Sequence, residues 1–202
     1  VATIGYPSMD HLLADLLDAL VQLDAVAMER IVALRSPLAT KLLTSATGLG
    51  SATAALVFVG LCYLAGWDEE YRHALVALAL SGAVVGTLML TIQRPYPPQP
   101  VCLTEGSETV ASSFPSGHAA AVTVYAMTAR RSDVLPAGVV AALASAVAFS
   151  RVYLGTHYLT DTVVGVAIGI AAFLLAERLL ARADVGALER RIREAAERGG
   201  NP

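Results

Sequence analysis

Charge is scarce in this chain of 202 residues: Asp, Glu, Lys and Arg make up 15% of it, against about 25% in soluble domains. Lysine is scarcer still, with Lys41 alone beside thirteen arginines. There are two cysteines, Cys62 in an apolar run and Cys102 in a polar loop. That number and placement exclude a disulfide framework and a cysteine metal site, so two free thiols are expected. The 17 Asp and Glu outnumber the 14 Lys and Arg, which argues against nucleic acid as a partner, because a phosphate backbone selects a basic face. The first thirty residues lack a basic segment and a small-residue cleavage site, so no signal peptide is expected. What is abundant is hydrophobic: 55% of the residues, with a mean hydropathy of +0.60. Disorder is excluded, and a membrane protein is indicated.

Five stretches are long, apolar and almost free of charge: 42–67, 74–93, 109–129, 134–150 and 162–176, the last running on past Glu177 and Arg178. A membrane-spanning helix needs about 20 mostly apolar residues. Four stretches reach that range, and the fifth does so if Glu177 and Arg178 snorkel to the interface. A bundle of buried soluble helices would show polar faces, and these stretches show none. Gly165 and Gly169 form a small-xxx-small pair of the kind that lets helix backbones approach in lipid. The expected fold is all-α, an integral membrane bundle of about five transmembrane helices over residues 41–182. An amphipathic surface helix precedes it within 1–40, and a charged helix follows in 183–202. In the first, Asp10, Asp15, Asp18, Asp24 and Glu29 fall on one arc, and Leu12, Leu13, Leu16, Leu20, Leu23 and Val26 on the other. In the last, Glu189/Arg193, Arg190/Glu194 and Glu194/Arg198 are i,i+4 pairs.

Three polar clusters punctuate the apolar chain. Arg94 stands at the end of a stretch that Pro95 stops; alone, it reads equally as an interface anchor. Pro115-Ser116-Gly117-His118 opens the next stretch. Ser116 is a natural N-cap, Gly117 lets a ligand approach the backbone, and free N–H groups at a helix start bind anions. Arg151, His157 and Asp161 form the third, the last two being four residues apart and so on one helical face. A carboxylate behind an imidazole sets which ring nitrogen carries the proton, although an ordinary interfacial His–Asp pair has the same spacing. Together, two Arg, two His, one Asp and a Gly-containing helix start suit a phosphoryl group: Arg for its oxygens, one His as nucleophile, one as acid. No set of Cys and His suggests a metal. Tyr96 and Tyr153 could line the pocket or anchor at the interface, with anchoring preferred, and Cys62, Trp67 and His73 read as packing or interface residues.

Arg94-Pro95, Pro115-Ser116-Gly117-His118 and Ser150-Arg151-x5-His157-x3-Asp161 resemble the three-part signature of the type 2 phosphatidic acid phosphatase superfamily, which joins membrane lipid phosphatases and soluble vanadium haloperoxidases. Order, spacing and intervening spans match over roughly residues 40–180, the second and third parts at every motif position. The first part departs: the family's Lys, seven residues before the Arg, is Thr87 here, and no Lys follows Lys41. A hydrogen bond to a charged group is worth about 1.5–3 kcal/mol, so the departure implies weaker phosphate affinity, a diphosphate held elsewhere, or a substitute cation, for which Arg35 and Lys41 are the candidates.

The resemblance implies a metal-independent, cofactor-free lipid phosphatase. His157 would attack phosphorus to give a phosphohistidine, Asp161 would orient it, and His118 would protonate the leaving oxygen. Arg94, Arg151, Ser116 and Gly117 would hold the phosphoryl oxygens. The implied substrate is a lipid phosphate, either a polyprenyl phosphate or diphosphate or a phosphatidic acid type, with the bilayer as the other partner. A lipid phosphotransferase on the same residues, and a catalytically decayed homologue, are the competing readings. Basic residues crowd the end opposite the motifs (Arg72, Arg130, Arg131, Arg178, Arg182 and the tail). The motif end is therefore expected on the outer face of the cell membrane and the C-terminus in the cytoplasm.

Overall fold

The computed structural model describes residues 9–98, 100–101 and 112–183. The expected tail helix, Cys102, and the side chains of Asp10, Leu12 and Leu13 lie outside the described residues. Among those described, seven α-helices follow one another: α1 (Met9–Val32), α2 (Pro37–Thr47), α3 (Ala52–Leu64), α4 (Asp68–Thr91), α5 (Gly117–Arg131), α6 (Ala137–Tyr153) and α7 (Leu159–Ala183). The fold is an all-α membrane bundle.

The boundaries follow local chemistry. Ser36 caps α2 from its side chain, with Pro37 at the first helical position, and Ser51 and Ser116 cap α3 and α5 in the same way. The apolar stretch 42–67, which reads as one span, is broken. A 3-10 turn at Gly48–Gly50 and the Ser51 cap divide it into α2 and α3, bent by 61°. Two glycines and a capping serine are enough to interrupt a helix whose hydrophobicity alone would carry it across a bilayer. α4 and α7, 24 and 25 residues long, are each long and apolar enough to cross a membrane; α2 and α3 together make a bent third. α6 is apolar at 17 residues and α5 has 15.

α5 is the centre of the bundle and packs on α4, α6 and α7. Ala77, Val124, Phe173 and Ala176 form the core between α4, α5 and α7; Val122, Tyr125, Ala144 and Val147 form that between α5 and α6. The α5–α7 crossing depends on the glycine pair singled out by spacing. A Cβ at Gly165 would lie 2.4 Å from the Ser116 carbonyl oxygen, and one at Gly169 2.6 Å from that of Ala120. Both obstacles are backbone, so a methyl group forces the helices apart.

α1 departs from the expected surface helix at one residue. Asp15, Asp18 and Glu29 of its acidic arc are exposed, but Asp24 and Met28 are buried against the bundle. Leu16, Leu20, Leu23 and Val26 face outward. The carboxylate is tolerated inside because it meets donors there, described below. At the bundle end away from the motifs, Ser132 donates to Glu70 (2.6 Å) and Arg131 pairs with Glu177. The His73 ring packs beside Phe173, and its Nδ1 lies 2.8 Å from the Glu69 carbonyl oxygen. Cys62 is a buried free thiol.

Candidate active site

The three polar clusters, separated by up to two spans in the chain, meet at one end of the bundle. Backbone hydrogen bonds join them: Ser113 N–H donates to the Arg94 carbonyl (2.8 Å), and Ser116 N–H to that of Asp161 (2.9 Å). The segment 112–116 is thereby laced between the end of α4 and the start of α7. Ser112 Oγ strengthens the lacing, donating to the Ile92 carbonyl and accepting from Arg94 N–H.

His157 sits in the turn between α6 and α7, which Gly155 makes with a φ of 69°, a conformation that a side chain disfavours. The imidazole is buried, 4% exposed. Its Nδ1–H donates to the Ser113 carbonyl at 2.6 Å, while Asp161 Oδ2 is 3.8 Å from the same nitrogen. The expected Asp161–His157 orientation is therefore modified. A backbone carbonyl makes the short bond that sets the tautomer, and the carboxylate supplies charge at longer range. With hydrogen on Nδ1, Nε2 keeps its lone pair. Burial pushes the His157 pKa below its ordinary value, Arg151 adds to that, and Asp161 and the Ser113 carbonyl oppose it.

Asp161 is fully buried and its oxygens are divided. Oδ2 accepts from Tyr158 N–H (2.9 Å), and Oδ1 accepts from Arg94 Nη1 (2.6 Å). Arg94, expected to help hold the phosphoryl oxygens, gives Nη1 to Asp161 and Thr160 and Nη2 to Asp24 (2.6 Å). Its guanidinium also lies 3.9 Å over the Tyr158 ring. Two buried carboxylates win this cation because each would otherwise be an uncompensated charge. Burial alone would lower the Arg94 pKa, but the hydrogen bonds and charges of Asp24 and Asp161 outweigh it and raise it.

Arg151, 8% exposed, donates Nη1 to Thr47 at 2.8 Å, so the broken span braces it. It is close enough to His118, His157 and Tyr96 to act electrostatically on each, as are the two imidazoles on one another. His118 is in the first turn of α5 behind the buried Ser116 cap. It packs so tightly on the 3-10 turn that a Cβ at Gly50 would lie 2.8 Å from its own. All seven predicted residues thus belong to one polar end, with His118, His157 and Arg151 mutually close and Arg94 turned to the carboxylates. Thr87, at the family's Lys position, is exposed and donates to the Ala83 carbonyl of its own helix. Of the two substitute cations, Lys41 is exposed on α2, and Arg35 donates Nε to the Tyr153 carbonyl at 2.8 Å. Tyr153 is not an interface anchor: it is buried, and its hydroxyl accepts from Ser36 N–H (2.8 Å). Tyr96 is edge-on to His157, the ring centroids 6.5 Å apart.

Sequence reasoning missed Asp24, Thr47, Ser113 and Thr160. Thr160 adjoins the noted Asp161, Thr47 lies unmarked inside the apolar stretch 42–67, and Ser113 acts through its carbonyl, which no residue type announces. An apolar groove of about 510 Å³ opens between α3, α4 and α5 and reaches Gly50, Gly117 and His118, with Leu56, Leu78 and Val85 along its walls.

The chain is similar to known proteins in sequence and in fold. The PAP2 superfamily matches residues 70–183. Over 114 residues the chain is 32% identical to the decaprenylphosphoryl-5-phosphoribose phosphatase of Mycobacterium tuberculosis, a match covering 56% of this chain. It spans 63% of the length of that curated relative. In fold it resembles Aquifex aeolicus LpxE (TM-score 0.64, 23% identity, 75% of this chain and 93% of that one). It also resembles a transmembrane PAP2 type phosphatidylglycerolphosphate phosphatase from Bacillus subtilis (TM-score 0.68, 24% identity, 81% and 87%).

Proposed function

The chain belongs to the PAP2 superfamily, and from that premise we propose that it is a membrane lipid phosphatase working through a phosphohistidine without a metal. One observation carries this reading. A buried imidazole whose Nδ1–H is committed to the Ser113 carbonyl lies beside a second imidazole and Arg151, and that second imidazole lines an apolar groove.

In the first half-reaction, the Nε2 lone pair of His157 forms a bond to phosphorus as the bond from phosphorus to the lipid oxygen breaks. The bonding pair leaves with that oxygen, and His118 delivers a proton to it. In the second half, water attacks phosphorus and gives its proton to His118. The N–P bond breaks, and its electron pair returns to His157. The Ser113 carbonyl and Asp161 stabilise the imidazole as it becomes positive. Arg151 and the N–H groups at the start of α5, behind Ser116 and Gly117, hold the phosphoryl oxygens. Arg94, fixed on Asp161, adds positive charge on the same side.

A phosphate head at the polar end with a hydrocarbon tail in the groove suits an amphiphile. Polyprenyl phosphates or diphosphates are preferred over phosphatidic acid, and the relative named for a decaprenyl-linked phosphate supports that side of the choice. Phosphate release from polyprenyl diphosphate and phosphatidic acid, compared side by side with purified protein, tests the reading. Release is expected to be faster from the prenyl lipid, lost in His157→Ala and unchanged by EDTA. Release that persists in His157→Ala, or that EDTA abolishes and a divalent cation restores, overturns it.

A further inference from the structure

Asp24 belongs to α1, outside the family match at 70–183, and nothing about its setting in the sequence marks it as part of a site. It is nonetheless 3% exposed and makes three short contacts with the polar end of the bundle. Oδ1 accepts from the backbone N–H of Thr160 (2.9 Å). Oδ2 accepts from Thr160 Oγ1 (2.5 Å) and from Arg94 Nη2 (2.6 Å), the last being also an ion pair. Thr160 is in the first turn of α7, where backbone N–H groups have no partner within their own helix. Asp24 therefore caps α7 from another helix and holds Arg94 with the same carboxylate.

Both partners of Asp24 bear directly on Asp161. Thr160 precedes it in the chain, and Arg94 Nη1 binds Thr160 Oγ1 at 2.8 Å and Asp161 Oδ1 at 2.6 Å. The guanidinium is thus clamped between two carboxylates on different helices, with Tyr158 beneath it. Removing the outer carboxylate frees one end of a cation whose other end fixes Asp161. Such a cation gains a choice of rotamers, and a pair fixed at both ends loses its geometry.

We propose that Asp24 is a positioning residue of the active site. Acting through Arg94 and Thr160, it fixes Asp161 and hence the His157 imidazole, so that docking of α1 completes the catalytic geometry. This rests on the phosphatase reading above, and its effect is on turnover, with lipid capture left to the groove.

The test compares Asp24→Asn, which keeps the shape and removes the charge, with Asp18→Asn, the same change at an exposed position of α1. Thr160→Ala is a second route to the same cluster should Asp24→Asn not fold, as judged by thermal unfolding. Turnover of polyprenyl diphosphate and inhibition by orthovanadate, which adopts the five-coordinate geometry of a phosphoryl group in flight, are measured for each. Asp24→Asn is expected to lower kcat about tenfold with KM within about twofold, and to weaken vanadate inhibition about tenfold. Thr160→Ala should shift both in the same direction, and Asp18→Asn neither. Parent-like values in both cluster variants, an effect on KM alone, tighter vanadate binding, or an equal loss in Asp18→Asn would each overturn the proposal. If the parent releases phosphate from no lipid, the phosphatase reading fails, while vanadate binding, followed by thermal shift, still decides the role of Asp24.

Discussion

His157 shows how much a single hydrogen bond can decide. A histidine free to choose its tautomer presents either nitrogen to a substrate; the 2.6 Å bond to the Ser113 carbonyl leaves the lone pair on Nε2, the nitrogen that attacks in the proposed mechanism. Burial favours the neutral ring and lowers its pKa, and the protonated ring cannot attack. The acid limb of kcat/KM is therefore expected below the ordinary imidazole value of 6.5, with activity lost as pH falls through that lowered pKa. A pH–rate profile measures it, and a limb above the ordinary value would contradict the assignment. The seven motif residues stood out in the sequence as polar clusters in an apolar chain, and the fold gathers them at one end. Arg94 shows the limit: its type was legible, but which anion it would hold was not.

The decisive elements are α5 and α7. Their crossing brings Ser116, the cap of α5, to the Asp161 carbonyl, and Gly165 permits it. Gly165→Ala places a methyl group 2.4 Å from a backbone oxygen, a contact that no side-chain rotation relieves. A loss of about 1–3 kcal/mol is expected, as for other overpacked cores, together with a fall in phosphate release as His118 and Asp161 separate. Thermal unfolding and the lipid assay report the two effects. Gly138→Ala, where an added Cβ meets nothing within 4 Å, is the control that should leave both unchanged. The glycine pair was visible from spacing alone, since close approach in lipid has a compositional signature. The division of the stretch 42–67 into α2 and α3 was not, because hydrophobicity averaged over a window conceals a glycine turn. That bend brings Thr47 to Arg151.

At the scale of the molecule, the polar centre occupies one end, and the exposed Arg131–Glu177 pair and the part-buried Glu70–Ser132 contact the other. Arg72, Arg131 and Arg178 gather at that second end, and by the positive-inside rule we propose that the site faces outward. Externally added, membrane-impermeant vanadate is accordingly expected to inhibit phosphate release in right-side-out vesicles, and inverted vesicles should require permeabilisation for the same effect. Inhibition of inverted vesicles alone would reverse the orientation. The outward leucines of α1 continue the apolar surface of the bundle, while Asp24 ties that helix to the centre.

By itself, the sequence determined the all-helical membrane class, the family signature and the residues that make up the polar end. Each follows from properties local in the chain: hydrophobic length, capping residues and motif spacing. Tertiary structure alone decided the partners. Asp24 meets Arg94 and Thr160 across 70 and 136 positions, and His157 meets Ser113 across 44. Those pairings depend on where helices cross, and an aspartate on a helical wheel has the same polarity whether it faces water or a buried guanidinium. The outcome was set by the cost of an unpaired charge inside the bundle, which the sequence cannot express until the fold has placed a cation there.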